Sequence, residues 1–164
     1  MNTQLQINIA SKSDLKIVTD LAKKIWPISY KKTLSEAQIE NMLEKIYSTE
    51  NLIYEMEELG HVFWIASDEN EPVGYISAYE EGNSLWMKKL YVLPEKQGKG
   101  YGTYLMNAAI NHFKGAKVIC LFVNSENTSA QVFYKAKGFE VVDTIPVKMG
   151  DYDFIDFIMS KPVN

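Results

Sequence analysis

The sequence predicts a mixed α/β fold with helices laid on a central sheet. Three observations carry that expectation. Apolar residues recur at helical spacing through the first third of the chain. Strand-like runs, separated by turns at Asp68 to Glu71 and at Gly82-Asn83, fill the middle. A glycine-rich loop then joins a strand to a helix between Leu85 and Met106.

Taken in order, Gln6 to Ile9 reads as a short opening strand. Ser11 to Asp14 supplies helix start signals. Leu15, Val18, Leu21, Ala22 and Ile25 follow on one helical face, so a helix is expected to run to about Trp26. Pro27 should break or re-aim it, because proline cannot donate the next main-chain bond. A second helix starts near Ser35 with Ile39, Met42, Leu43 and Ile46 on its apolar face, and a third piece covers Asn51 to Leu59. Three antiparallel strands come next: His61 to Ser67, Pro72 to Tyr79, and Leu85 to Leu93, the last stopped by Pro94. The order then becomes a helix from Gly100 to Phe113, a strand from Lys117 to Val123, and a helix from Thr128 to Lys137 ended by Gly138. Phe139 to Val147 and Tyr152 to Ser160 are the last two strands, making about seven in all.

Bulk properties narrow the function. The chain has 164 residues and a net charge of -4, with 21 acidic against 17 basic side chains, which argues against a general nucleic-acid binder. No apolar run is long enough to span a bilayer, and the N-terminus lacks the pattern of a signal peptide. One cysteine, Cys120, allows no intramolecular disulfide. These readings fit a single domain over residues 1–164 in the reducing cytoplasm.

The loop carries the chemistry. Gly98, Gly100 and Gly102 alternate, which is neither the G-x-G-x-x-G of a dinucleotide fold nor a Walker A string. What stands is Gln97-x-x-Gly100-x-Gly102, flanked by Lys96 and Lys99. Glycines let the main chain approach a pyrophosphate, and a helix N-terminus is a ready anion site. An ordinary strand-to-helix turn is the competing reading.

This stretch resembles motif A of the GNAT N-acetyltransferase superfamily. The segment Asn124 to Glu140, with Asn127, Ala130, Tyr134 and Gly138-Phe139, resembles the same family's motif B, in the same order and at the same spacing. The resemblance covers roughly Val62 to Lys161. It implies a three-layer α/β/α domain whose mostly antiparallel sheet splays after the fourth strand. It further implies acetyl-CoA as co-substrate, no metal, and direct transfer to a primary amine in a ternary complex.

By position, the resemblance assigns roles. Main-chain groups of Leu90, Tyr91 and Val92, on a strand opened by a bulge, would bind the pantetheine arm and polarise the thioester carbonyl. The loop residues Gln97, Gly98, Lys99, Gly100, Tyr101, Gly102 and Thr103 would hold the pyrophosphate. Asn124 and Asn127 would bond the pantetheine or the loop opposite, while Ala130 and Phe133 would line the cofactor cleft. Tyr134 falls at the family's general-acid position, able to protonate the departing thiolate; a core tyrosine on an amphipathic helix would read the same. The amine must be neutral to attack, yet with a pKa near ~10 only about one molecule in a thousand is so at neutral pH. A base is therefore expected. Spermidine/spermine acetyltransferases carry a glutamate where this chain has Lys88, which leaves the base open among Glu80, Glu81, Tyr30 and ordered water.

The second half also resembles PaiA-type polyamine acetyltransferases, through Val147 to Asp151 and Asp156 to Lys161. Trp26 and Tyr30 would wall the acceptor pocket, or pack in the core, and Glu80 is a third acceptor-side candidate. Acidic residues from Glu36 to Glu81 would attract a polycation, or form solvated helix faces. The expected acceptor is a small amine or polyamine. Protein N-terminal or lysine acetylation, and a catalytically silent CoA-binding regulatory module, are the alternatives. His61 and His112 lack metal-ligand spacing. Cys120 is expected to be buried and inert, and Lys88 and Lys89 to sit on a solvated strand edge, with contact to cofactor phosphate as the alternative. A homodimer would pair through an exposed edge of the final strand, Tyr152 to Ser160.

Overall fold

The computed structural model describes residues 5–149 and 152–163. Seven strands, β1 (Leu5–Ile9), β2 (Val62–Asp68), β3 (Glu71–Glu81), β4 (Ser84–Val92), β5 (Val118–Asn124), β6 (Glu140–Met149) and β7 (Tyr152–Pro162), form one sheet. Their spatial order is β1-β2-β3-β4-β5-β7-β6. Every pairing is antiparallel except β4 with β5. Gly150 and Asp151, which belong to the polyamine-type segment noted above, lie outside the described residues.

Strand alternation sorts the core into two layers, because successive side chains point to opposite faces. Phe63 and Ile65 of β2 and Tyr75 of β3 pack under α1 (Leu15–Ser29), α2 (Glu36–Tyr47) and α3 (Thr49–Glu57). Trp64 and Ala66 of β2, with Leu85 and Met87 of β4, pack under α4 (Tyr101–His112) and α5 (Thr128–Ala136). The result is the α/β/α sandwich expected.

Three expectations need correction. The first helix does not stop at Trp26. It runs through Pro27 to Ser29, with Tyr30 N–H donating to Trp26 O at 3.0 Å. Proline is tolerated because it sits in the exposed last turn, where the missing bond leaves the carbonyl of exposed Lys23 facing water. The final strand has no free edge. The β6–β7 hairpin docks with β7 inside, paired to β5 from Val118↔Pro162 to Asn124↔Asp156, so β6 is the sheet edge. Pro146 and a register shift between Val141 and Asp143 interrupt that edge, features that discourage strand-to-strand association. The bulge on β4 lies earlier than Leu90 to Val92. Ser77 opposes Lys89 and Ala78 opposes Met87, so Lys88 is the extra residue.

That bulge positions the site. It shifts the alternation of β4 by one, so that Met87 and Leu90 both join the α4–α5 layer while Lys89 and Tyr91 turn toward the α1–α3 layer. Parallel pairing with β5 ends at Met87↔Leu121. Beyond it the two strands part.

Candidate active site

The parted strands define a fork. Trp86 and Phe122 stack at its base, with ring centroids 5.0 Å apart, and Lys88 Nζ sits 5.0 Å over the Phe122 ring. From Lys88 to Val92 the edge of β4 that faces β5 has no ladder partner among the described residues. Behind it Gly74 of β3 backs directly onto the main chain of Tyr91 and Val92. A Cβ there would lie 2.7 Å from the Tyr91 carbonyl oxygen, so only glycine lets the two strands meet this closely.

Past the fork the chain turns through Pro94 to Lys96 into the glycine loop. Gly98 and Gly100 take φ of +82° and +89°, which favour glycine. Gly100 is the N-cap of α4. The N–H groups of Gly98, Lys99, Gly100, Gly102 and Thr103 find no acceptor among the described residues. Five unfilled donors, exposed or half-exposed at a helix N-terminus, fit a diphosphate. Gln97 Nε2 donates to Val92 O at 3.3 Å, tying the loop back to the strand. Tyr101 OH donates to Asp68 Oδ2 at 2.7 Å, and Lys96 lies 3.7 Å from the same oxygen. A Cβ on Gly102 would stand 3.3 Å from the Phe133 ring, so this glycine lets α4 and α5 close up.

On the far side of the fork Asn124 Oδ1 accepts from Glu126 N–H at 2.9 Å. Asn127 Oδ1 accepts from Ala130 N–H at 3.2 Å, capping α5. Both carboxamide oxygens thus shape the loop opposite. Ala130 and Phe133 pack half-buried against the core. Tyr134 is buried beside Phe133 and Phe139, with centroids at 5.3 and 5.6 Å. Its hydroxyl makes no hydrogen bond to another described residue. Burial and the nearby Tyr30 phenol push its pKa far above the usual tyrosine value.

Across the sheet lies a cavity of about 510 Å³. Trp26, Tyr30, Tyr47 and Tyr91 form its aromatic wall, and Lys88, Asn124 and Asp156 line its mouth. Tyr30 and Tyr91 join hydroxyls at 2.8 Å. Trp26 lies 4.6 Å from Tyr30 and 5.5 Å from Tyr47, centroid to centroid. A smaller recess of about 270 Å³ adjoins it through Tyr30, Leu34, Asn124 and Phe154, and is lined also by Glu126 and Asp153.

The structure separates the expected site residues. It brings Trp26, Tyr30 and Tyr91 together in the cavity, but Glu80 is elsewhere. Glu80 pairs with Leu85 near the opposite end of β4 from Leu90, exposed beside Gly115, because β3 runs antiparallel to β4 and carries its last residues away from the fork. Lys89 is the second displacement. Instead of a solvated edge it occupies the buried interior, its Nζ donating to Glu55 Oε1 at 2.6 Å. Burial alone would raise the Glu55 carboxyl, but His61, 3.7 Å away, and Lys89 hold it below the usual range. Burial lowers Lys89, with Glu55 opposing. Asp156 was not singled out by sequence. It reaches the cavity because β7 places it opposite Asn124; the pattern Tyr152, Phe154, Asp156 on alternate positions was the available signal.

Known proteins match this chain. Residues 59–141 match the family model described as acetyltransferase (GNAT) domain. A spermidine N(1)-acetyltransferase of Thermoplasma acidophilum is 30% identical over 163 residues, covering 96% of each chain. The chain belongs to the GNAT acetyltransferase family. The crystal structure of a PaiA N-acetyltransferase from Thermoplasma acidophilum in complex with coenzyme A superposes with a TM-score of 0.82 at 28% identity, over 97% of this chain and 99% of that one. A peptidyl-lysine N-acetyltransferase of Salmonella typhimurium is 35% identical over 79 residues, about half of each chain. The protein is an acetyl-CoA-dependent N-acetyltransferase, and its glycine loop and open β4 edge suit that co-substrate. Among the described residues no helix of this acetyltransferase is long and apolar enough to cross a membrane, and no cluster of three or more His, Cys, Asp or Glu is placed to hold a metal.

Proposed function

We propose that the enzyme acetylates a primary amine of a small aliphatic di- or polyamine, by direct attack in a ternary complex. The observation that carries this reading is the aromatic-walled cavity opening on the fork, with Asp156 at its mouth and Asp153 and Glu126 in the adjoining recess. Aromatic faces and carboxylates both favour ammonium groups. Lys89 contributes little opposing charge, being paired with Glu55. The spermidine N(1)-acetyltransferase relative supports the same acceptor class.

In this reading the free edge of β4 from Leu90 to Val92 takes the pantetheine arm, and the N–H groups of the Gly98 to Thr103 loop take the pyrophosphate. A main-chain N–H of β4 aimed at the thioester oxygen would stabilise charge developing there. Tyr134 donates its proton to the departing sulfur. Its raised pKa means that the phenol carries its proton at neutral pH, available to hydrogen-bond or protonate the departing thiolate. The single buried cysteine is consistent with a reducing, cytoplasmic setting.

The test is CoA-thiol release from acetyl-CoA over a panel of putrescine, spermidine, spermine, free amino acids, and peptides with a free N-terminus or lysine. Di- and polyamines should give the highest kcat/KM. A higher value for any peptide would replace this acceptor assignment with protein acetylation.

A further inference from the structure

We propose that Asp156 is the base that takes the proton from the attacking ammonium. The inference rests on the reading of a primary-amine acceptor. Two carboxylates line the main cavity, Glu55 and Asp156. Glu55 is consumed by Lys89 at 2.6 Å and lies in the buried interior. Asp156 is half-buried and has no ion-pair partner within 4.0 Å among the described residues. It is therefore the carboxylate at the cavity mouth able to receive a proton.

Its place in the sheet fixes its direction of approach. Asp156 lies opposite Asn124 on β5 and Ile145 on β6, and both line the same cavity. The strand edge proposed to hold the thioester forms the other arm of the fork. An amine seated in the cavity against Tyr30 thus meets Asp156 on one arm and the acyl group on the other. Every charged or titratable group facing this space bears on it: Lys88 from β4, Tyr30 at the C-cap of α1, Lys45 and Tyr47 from α2, Glu55 from α3, and Lys89 and Tyr91 deeper in β4. Burial raises the Asp156 carboxyl above the usual range and Lys88 opposes that rise. The competing base, Lys89, has its ammonium held by Glu55.

The step balances. The Asp156 carboxylate accepts one proton from the ammonium. The freed nitrogen lone pair attacks the thioester carbonyl carbon, forming the C–N bond while the C–S bond breaks. The sulfur leaves with its electron pair and takes the Tyr134 proton. The second proton lost by nitrogen returns to Tyr134 through solvent, and Asp156 releases its own proton to bulk. The net products are the amide, CoA thiol and one proton.

The experiment compares parent and Asp156→Asn with putrescine and with trifluoroethylamine, an amine already neutral at pH 7. CoA calorimetry on the variant checks that it is folded. With putrescine at pH 7 the variant should lose about 10²-fold in kcat/KM. That deficit should close as pH rises toward the amine pKa, and should be absent with trifluoroethylamine. A deficit that is the same at every pH or with both amines, or no deficit, overturns the proposal. Should the variant fail to bind CoA, the parent decides. With putrescine an acidic limb must appear at a carboxyl pKa well below the amine's own, and with trifluoroethylamine, once its own protonation is allowed for, none must remain; a limb common to both overturns the assignment. A parent that releases no thiol with any amine would instead remove the acceptor reading.

Discussion

The Lys89 ammonium lies 2.6 Å from Oε1 of Glu55 across 34 residues of sequence, joining β4 to α3 in the wall of the cavity. Both side chains are nearly excluded from water, and Lys89 also stands 5.6 Å over the Tyr47 ring and 6.0 Å over Phe63. Removing one member strands a buried charge. Glu55→Ala should therefore cost about 3–5 kcal/mol, whereas replacing both by apolar residues of similar volume should recover most of it. Thermal unfolding of Glu55→Ala and of Glu55→Leu/Lys89→Met tests this; equal losses in the two would disprove it.

The charge at Lys88 should tune Asp156. Burial raises the Asp156 carboxyl and the Lys88 ammonium pulls it back. In Lys88→Met the restraint is gone, so the carboxyl should rise further and the acidic limb of kcat/KM should move to higher pH. A pH–rate profile that keeps its limb would show that Lys88 does not act on the titrating group.

Asp156 should also cost stability. Its folded pKa is raised, so ionisation favours the unfolded chain. No penalty exists below the unfolded pKa; it develops as pH climbs and is complete above the folded pKa. Asp156→Asn should then melt at or above the parent's temperature at pH 7, with the advantage disappearing in strong acid. A lower melting temperature at pH 7 would contradict this sign.

Tyr134→Phe keeps the buried ring and its contacts with Phe133 and Phe139 while deleting the donor. Turnover should drop about 10²-fold, and CoA affinity by calorimetry should barely change. Unaltered turnover would remove the hydroxyl from the reaction.

Gly74→Ala places a Cβ 2.7 Å from the Tyr91 carbonyl oxygen, a main-chain atom that cannot swing aside. The strain should cost about 1–3 kcal/mol and push β4 out of register at the edge proposed to hold the co-substrate. Both the melting temperature and kcat/KM should fall together. A stable variant with parental kinetics would show that β4 tolerates displacement there.

The local half of the architecture was legible in sequence. Strand-like runs in β2 and β4, helical spacing in α1 and the Gly98 to Gly102 string each act over a few residues, and the elements they predict are present. What escaped depends on long-range register. Asp156 becomes a site residue only through its pairing with Asn124, and Lys89 becomes interior only through the extra residue at Lys88 and a partner on α3. Glu80 illustrates the converse. Its charge suited the acceptor side, but an antiparallel strand carries sequence neighbours of the site steadily away from it. The reading of two closing strands likewise could not say which of them would sit inside the sheet.

Interior placement of β7 has a consequence for how the enzyme assembles. Among the described residues β6 has no strand neighbour other than β7, and β7 reaches β5 only after α5 and β6 have been bypassed in sequence. Loop-closure entropy must be spent before those ladder bonds form. Phe154 and Asp156 arrive with that hairpin, so the cavity is expected to be completed late in folding, and a ligand that bridges both arms of the fork would act as a clasp on a late-formed part of the molecule.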